Sequence, residues 1–145
     1  HRDPLPVMAS CCSLIATMRR IASDQVDPLE IGREWPRKWA LALEKAMDAR
    51  RAAPEGRFAD VHYLRLLDDP LAAVGEIYSR FDLDMPAGME ERMHGWIADN
   101  AQHKYGRHRY GLADFGLDAD HERRRFATYS RAFGVGEEGT TGESG

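Results

Sequence analysis

Arg2 stands eight residues before Ser10, and between them the run DPLPVMA reads as the start of a helix. Asp3 can cap that helix, and Pro4 suits its first turn, where an amide hydrogen would lack a helical partner. A guanidinium beside a helix N-terminus is well placed to hold a phosphate. Free amides and the helix dipole favour the anion, and the guanidinium can grip two oxygens with parallel hydrogen bonds. Ser10 would add a hydroxyl from the second turn. Taken alone, an Arg and a Ser at this spacing mean little and read first as a surface arginine and a small helix residue.

Two later segments carry residues of matching chemistry. In VHYLRLLDDP, Tyr63 closes a β-forming run seven residues before Pro70. It reads either as an aromatic closing the core or as a ring whose hydroxyl meets a nucleotide. In HKYGRHRYGLADFGL, Lys104, Gly106, Arg107 and Arg109 cluster. Glycine lets backbone amides approach an anion, and neighbouring cations add charge. The same string also reads as a solvated basic loop.

These residues must be positioned by a fold that 145 residues can build as one domain. We read residues 1–133 as the folded portion and 134–145, rich in Gly, Glu, Thr and Ser, as a disordered tail. Helices are expected from Asp3 to about Ser23, from near Pro28 to about Ala53, from Asp69-Pro70 to Phe81, from Pro86 to Asp99, and from Asp118 to Phe133. Pro36 should kink the second helix or mark its true start. The first helix is apolar nearly all round, which predicts burial on several sides, with Ser10, Ser13, Thr17 and Arg20 as a polar stripe. Phe58–Leu64 reads as a strand, parallel to a strand remnant at His1.

The net charge of −4 gives no reason to expect nucleic-acid binding. Cys11 and Cys12 are adjacent, a poor geometry for a disulfide, and they lack the spacing of a metal site. Reduced cysteines point weakly to a cytoplasmic protein. No apolar stretch approaches the roughly 20 residues that cross a bilayer. His1, His62, His94, His103, His108 and His121 are candidate bases by residue type alone, and none carries a positional argument for catalysis.

Together the three segments resemble the sulfotransferases that use 3'-phosphoadenosine 5'-phosphosulfate (PAPS), and in particular bacterial members of that family. The resemblance implies that Arg2 and Ser10 bind the 3'-phosphate. It matches Tyr63 to the tyrosine that contacts adenine, although Leu64 and Arg65 stand where the family often has Glu and Asp. It likens Lys104, Gly106 and Arg107 to the loop over the 3'-phosphate, with Tyr105 replacing one basic residue. It thereby implies one anion site shared by Arg2, Ser10 and Lys104 or Arg107. The fold it implies is α/β: the helix-rich C-terminal half of a P-loop-type, three-layer, parallel-sheet domain.

The resemblance covers only that half. No Gly-x-x-x-x-Gly-Lys-[Ser/Thr] and no Pro-Lys-[Ser/Ala]-Gly-Thr stretch is present, and the family's general base would precede His1. The expectation is a fragment, inactive alone, of an enzyme moving a sulfuryl group from PAPS to an unidentified hydroxyl or amine acceptor, with no metal. Self-association is possible if the apolar first helix is left uncovered. The alternative is a non-catalytic nucleotide- or anion-binding module derived from that fold. A nucleic-acid binder using Lys104, Arg107, Arg109 and Arg123–Arg125 is disfavoured by the acidic balance.

Overall fold

The computed structural model describes residues 1–100 and 111–137. Among these, the helices are α1 (Pro4–Ala22), α2 (Pro28–Ala52), α3 (Tyr63–Asp68), α4 (Pro70–Arg80), α5 (Met89–Asp99) and α6 (Ala119–Ala132), with a 3-10 helix at Leu112–Phe115. The chain divides into two compact units. One comprises Arg2–Ala52 and Tyr110–Gly145, the other His1 and Ala53–Arg109.

In the first unit, α1, α2, α6 and the 3-10 helix pack on one another. The α1 start is set by Asp3, whose Oδ1 accepts from the Leu5 amide at 3.0 Å. The buried positions Leu5, Met8, Ala9, Cys12 and Ala16 recur at helical spacing. Of these, Cys12 and Ala16 join Ile31 of α2 and Phe115 of the 3-10 helix in one core cluster. Burial is therefore confined to one face. Met18 and Ile21, among the apolar positions of the first helix, are 57% and 84% exposed, and Leu14 is 59% exposed. The polar stripe faces outward as its pattern requires, with Ser10, Thr17 and Arg20 exposed. By length and mean hydropathy α1 is just apolar enough to cross a membrane, contrary to the sequence reading. It packs against α2, α6 and the 3-10 helix on one face, and its outer face is left exposed.

α2 runs unbroken through Pro36, so the proline lies inside the helix rather than at its start. Pro36 has no amide hydrogen for the carbonyl of Gly32, four residues earlier. At Gly32 α2 comes close to the 3-10 helix: a Cβ there would lie 1.9 Å from the Phe115 carbonyl oxygen. Ile31, Gly32 and Pro36 are buried on that side. Arg19 of α1 ties α2 at its rim, its guanidinium 2.8 Å from Glu34 and 3.5 Å from Glu30.

In the second unit, α4 packs against α3 and α5. Asp69 caps α4, its Oδ1 accepting from Ala72 at 2.9 Å, and Pro70 takes the first helical position. The expected strand at Phe58–Leu64 does not form. His62 is extended, but Tyr63 already begins α3, because Leu64, Arg65, Leu66 and Leu67 are all good helix formers. What remains of the pairing is a single rung. The His1 nitrogen donates to the Val61 carbonyl, and the Tyr63 amide donates to the His1 carbonyl at 2.7 Å. Two bonds that bracket His62 in this way have the sense of a parallel ladder. With only one rung there is no strand among the described residues, so the expected sheet is absent from them.

Candidate functional site

The Arg2 end of α1 combines a cation, a capped helix start and a phenol. Arg2 is half-buried and precedes the cap Asp3, which is 8% exposed. Pro4 and Pro6 have no amide hydrogens, and the Leu5 amide goes to Asp3. The first turn thus offers an anion none of these three amides, and the cap itself is a carboxylate. This revises the sequence reading, which counted on free amides. An anion here would be held by side chains, with Arg2 as the bidentate donor. Ser10 is exposed on the second turn of the same helix.

Tyr129 of α6 closes the other side of this start. Its hydroxyl accepts a long hydrogen bond from the Arg2 amide, 3.4 Å, and its ring lies 5.2 Å from that of Phe133. Burial pushes the phenol above its usual range, and the bond from Arg2 opposes this in part. Arg50 of α2 lies over the far ring, 5.4 Å from the Phe133 centroid. No motif marked Tyr129 in the sequence. Its only signal was its spacing from Phe126 and Phe133 on one helix face.

Tyr63, the expected adenine contact, is half-buried at the start of α3, directly after the His1 rung. Beside it, His1 Nε2 lies 2.6 Å from Asp60 Oδ1, and the His1 and His62 rings are 5.7 Å apart. Lys104, Gly106 and Arg107 lie outside the described residues.

A second basic feature of the first unit was not anticipated. A cleft of about 530 Å³ is lined by Arg33 and Arg37 of α2 and by Asp118, His121, Glu122 and Arg125 at the α6 start. Its charges are largely matched. Arg33 faces Asp27 at 3.4 Å, and Arg125 Nε is 2.8 Å from the buried Glu122 carboxylate. Asp118 caps α6 by accepting from the His121 amide at 2.8 Å. Asp118 and Glu122 in the lining, with Asp27 paired to Arg33 beside it, weaken the field that the three arginines offer an anion. Among the described residues, no group of three or more His, Cys, Asp or Glu could hold a metal ion.

The model of the sulfotransferase family matches residues 1–87, a stretch that contains Arg2, Ser10 and Tyr63. The chain belongs to the sulfotransferase family. Its structure is similar to the crystal structure of the sulfotransferase STF9 from Mycobacterium avium, with a TM-score of 0.83 and 27% identity. That likeness covers 96% of this chain and 36% of the STF9 chain, so the chain spans about a third of that sulfotransferase. Comparison with curated proteins gives no match. The helices described above, α1 to α6, are therefore part of a sulfotransferase fold.

Proposed function

We propose that this chain carries the 3'-phosphoadenosine-binding part of a PAPS-dependent sulfotransferase. Arg2 and Ser10 bind the 3'-phosphate, Tyr63 contacts adenine, and Lys104, Gly106 and Arg107 supply the covering loop. PAPS would bring the sulfuryl group, and a hydroxyl or amine of the second substrate would receive it. The observation that carries this reading is the family match over residues 1–87, which includes Arg2 at a helix start, Ser10 eight residues on, and Tyr63. The α1 start fits the role through its side chains. With the Leu5 amide taken by Asp3, the 3'-phosphate is recognised by guanidinium and hydroxyl rather than by backbone.

The chain's own residues bind and orient the nucleotide. We assign none of them to proton transfer, and the residues that handle the 5'-phosphosulfate and the acceptor lie elsewhere in the protein. The 145 residues alone are then inactive.

The test is specificity for the extra phosphate. In the protein that carries this chain, adenosine 3',5'-bisphosphate should raise thermal stability well above adenosine 5'-monophosphate. A ligand at 100 times its Kd adds about 2.7 kcal/mol when only the native state binds it. Arg2→Ala should remove most of the difference, Ser10→Ala less, and Tyr63→Ala should weaken both nucleotides. Equal stabilisation of the wild type by the two nucleotides refutes the reading and leaves a non-catalytic module as the better account.

A further inference from the structure

We propose that Tyr129 is a positioning residue for the 3'-phosphate site, holding the Arg2 backbone through its phenol oxygen. This rests on the proposed role of Arg2. A guanidinium recognises a phosphate only if its backbone stands at a fixed place and angle, because a bidentate contact tolerates little misplacement. On its C-terminal side Arg2 is fixed by the capped start of α1, where Asp3 is bonded to Leu5 at 3.0 Å. The bond from the Arg2 amide to Tyr129 Oη ties the residue itself to α6.

Tyr129 is suited to this task. Its ring leans on Phe133, 5.2 Å away and four residues later at the C-terminal cap of α6, which fixes where the hydroxyl sits. Phe133 in turn lies under Arg50 of α2. The Arg2 amide is therefore held by a phenol that Phe133, itself under Arg50, braces. A phenol oxygen accepts from an amide, and no other side chain of this size offers an acceptor so far from the backbone of its own helix. The role needs the oxygen and the ring separately, and the two can be removed separately.

Tyr129→Phe deletes the oxygen and keeps the ring. Phe133→Leu keeps the oxygen and removes the ring's support. In the protein that carries this chain, affinities for adenosine 3',5'-bisphosphate and adenosine 5'-monophosphate are measured by calorimetry, with thermal melting recorded alongside. Tyr129→Phe should lower the preference for the 3'-phosphate up to about fivefold, the size of one neutral hydrogen bond, with melting lowered by no more than about 4 °C. Phe133→Leu should lower melting and lower the preference by less than Tyr129→Phe does, since the oxygen is kept but less firmly placed. A Tyr129→Phe protein that keeps the full wild-type preference overturns the positioning role while leaving Arg2's role intact. Equal loss of both nucleotides overturns it as well, since the effect would not pass through the 3'-phosphate. A wild type that shows no preference defeats the reading of Arg2, and this inference falls with it.

Discussion

The contact between Gly32 and Phe115 makes one substitution decisive. In most helix interiors, Gly→Ala stabilises by about 1 kcal/mol, because alanine loses less backbone entropy. Gly32→Ala should do the reverse. A Cβ at Gly32 would stand 1.9 Å from the Phe115 oxygen and 3.0 Å from its carbonyl carbon, where real contacts do not fall below about 3.0 Å. The 3-10 helix must withdraw by about 1 Å to admit the methyl group. What blocks it is backbone, which has no rotamer to change. The contact lies among Cys12, Ala16, Ile31 and Phe115, so withdrawal also loosens that cluster. Overpacking of this kind costs about 1–3 kcal/mol, and a rigid obstacle puts it at the top of that range. Set against the helical gain, the net loss is about 2 kcal/mol. At about 4 °C per kcal/mol for a chain of this size, the melting midpoint should fall by about 8 °C. Gly95 of α5 is the control: it is exposed, helical and has nothing within 4 Å of the added carbon. Gly95→Ala should raise stability by about 0.5–1 kcal/mol. Circular dichroism during thermal or urea unfolding reads both. If Gly32→Ala matches or exceeds the wild type, the close approach of α2 to the 3-10 helix is wrong.

Two further outcomes follow from buried groups in the first unit. The Cys12 thiol is pushed up to about 11 by burial and then by the neighbouring Cys11 and Glu122 charges, so it stays protonated in the folded protein when an unfolded thiol ionises. Folding stability is then complete below about pH 9 and declines as pH rises toward 11, and a Cys12→Ala protein should lose that part of the decline in urea titrations across this range. Asp3→Ala should cost about 1 kcal/mol by stripping the Leu5 amide of its partner, whereas Asp3→Asn, which keeps an acceptor, should cost clearly less in the same measurement.

The helices were legible where the sequence marks their ends. Asp3-Pro4, Asp69-Pro70 and Asp118 each combine an acceptor side chain with a helix start, and each caps a helix in the structure. These are local signals, and local reading suffices for them. The strand was not legible in the same way. Val61 and Tyr63 favour extended backbone, but a strand exists only through its neighbours, and His1 alone supplies one rung. The burial of α1 was overstated for a related reason. Hydropathy shows which faces could be covered, not which partners arrive, and Leu14, Met18 and Ile21 meet none among the described residues that buries them.

At the candidate site, the cation and the hydroxyl could be named from their spacing, while their setting could not. The sequence shows Pro4 and Pro6 plainly. That Asp3 takes the one intervening amide is a matter of its side-chain rotamer. Tyr129 lies 127 residues from Arg2 along the chain, and nothing in its neighbourhood announces that its oxygen meets that residue. Gly32 likewise reads as a weak point in a helix until Phe115 is seen across from it.

Pro36 has a consequence for motion. The missing hydrogen bond to Gly32 divides α2 into two stretches that need not open together. The first, Pro28 to Trp35, includes Ile31 and Gly32, both buried, and cannot leave without opening the core. In the second, from Arg37 to Ala52, only Met47 is buried. Its amides depend on helical bonds that face water, and those open at a fraction of the global cost. One continuous helix should thus open at two rates, which amide hydrogen exchange would read. The residues nearest the core keep the slow one, while Arg50, which lies over the Phe133 ring, belongs to the fast one.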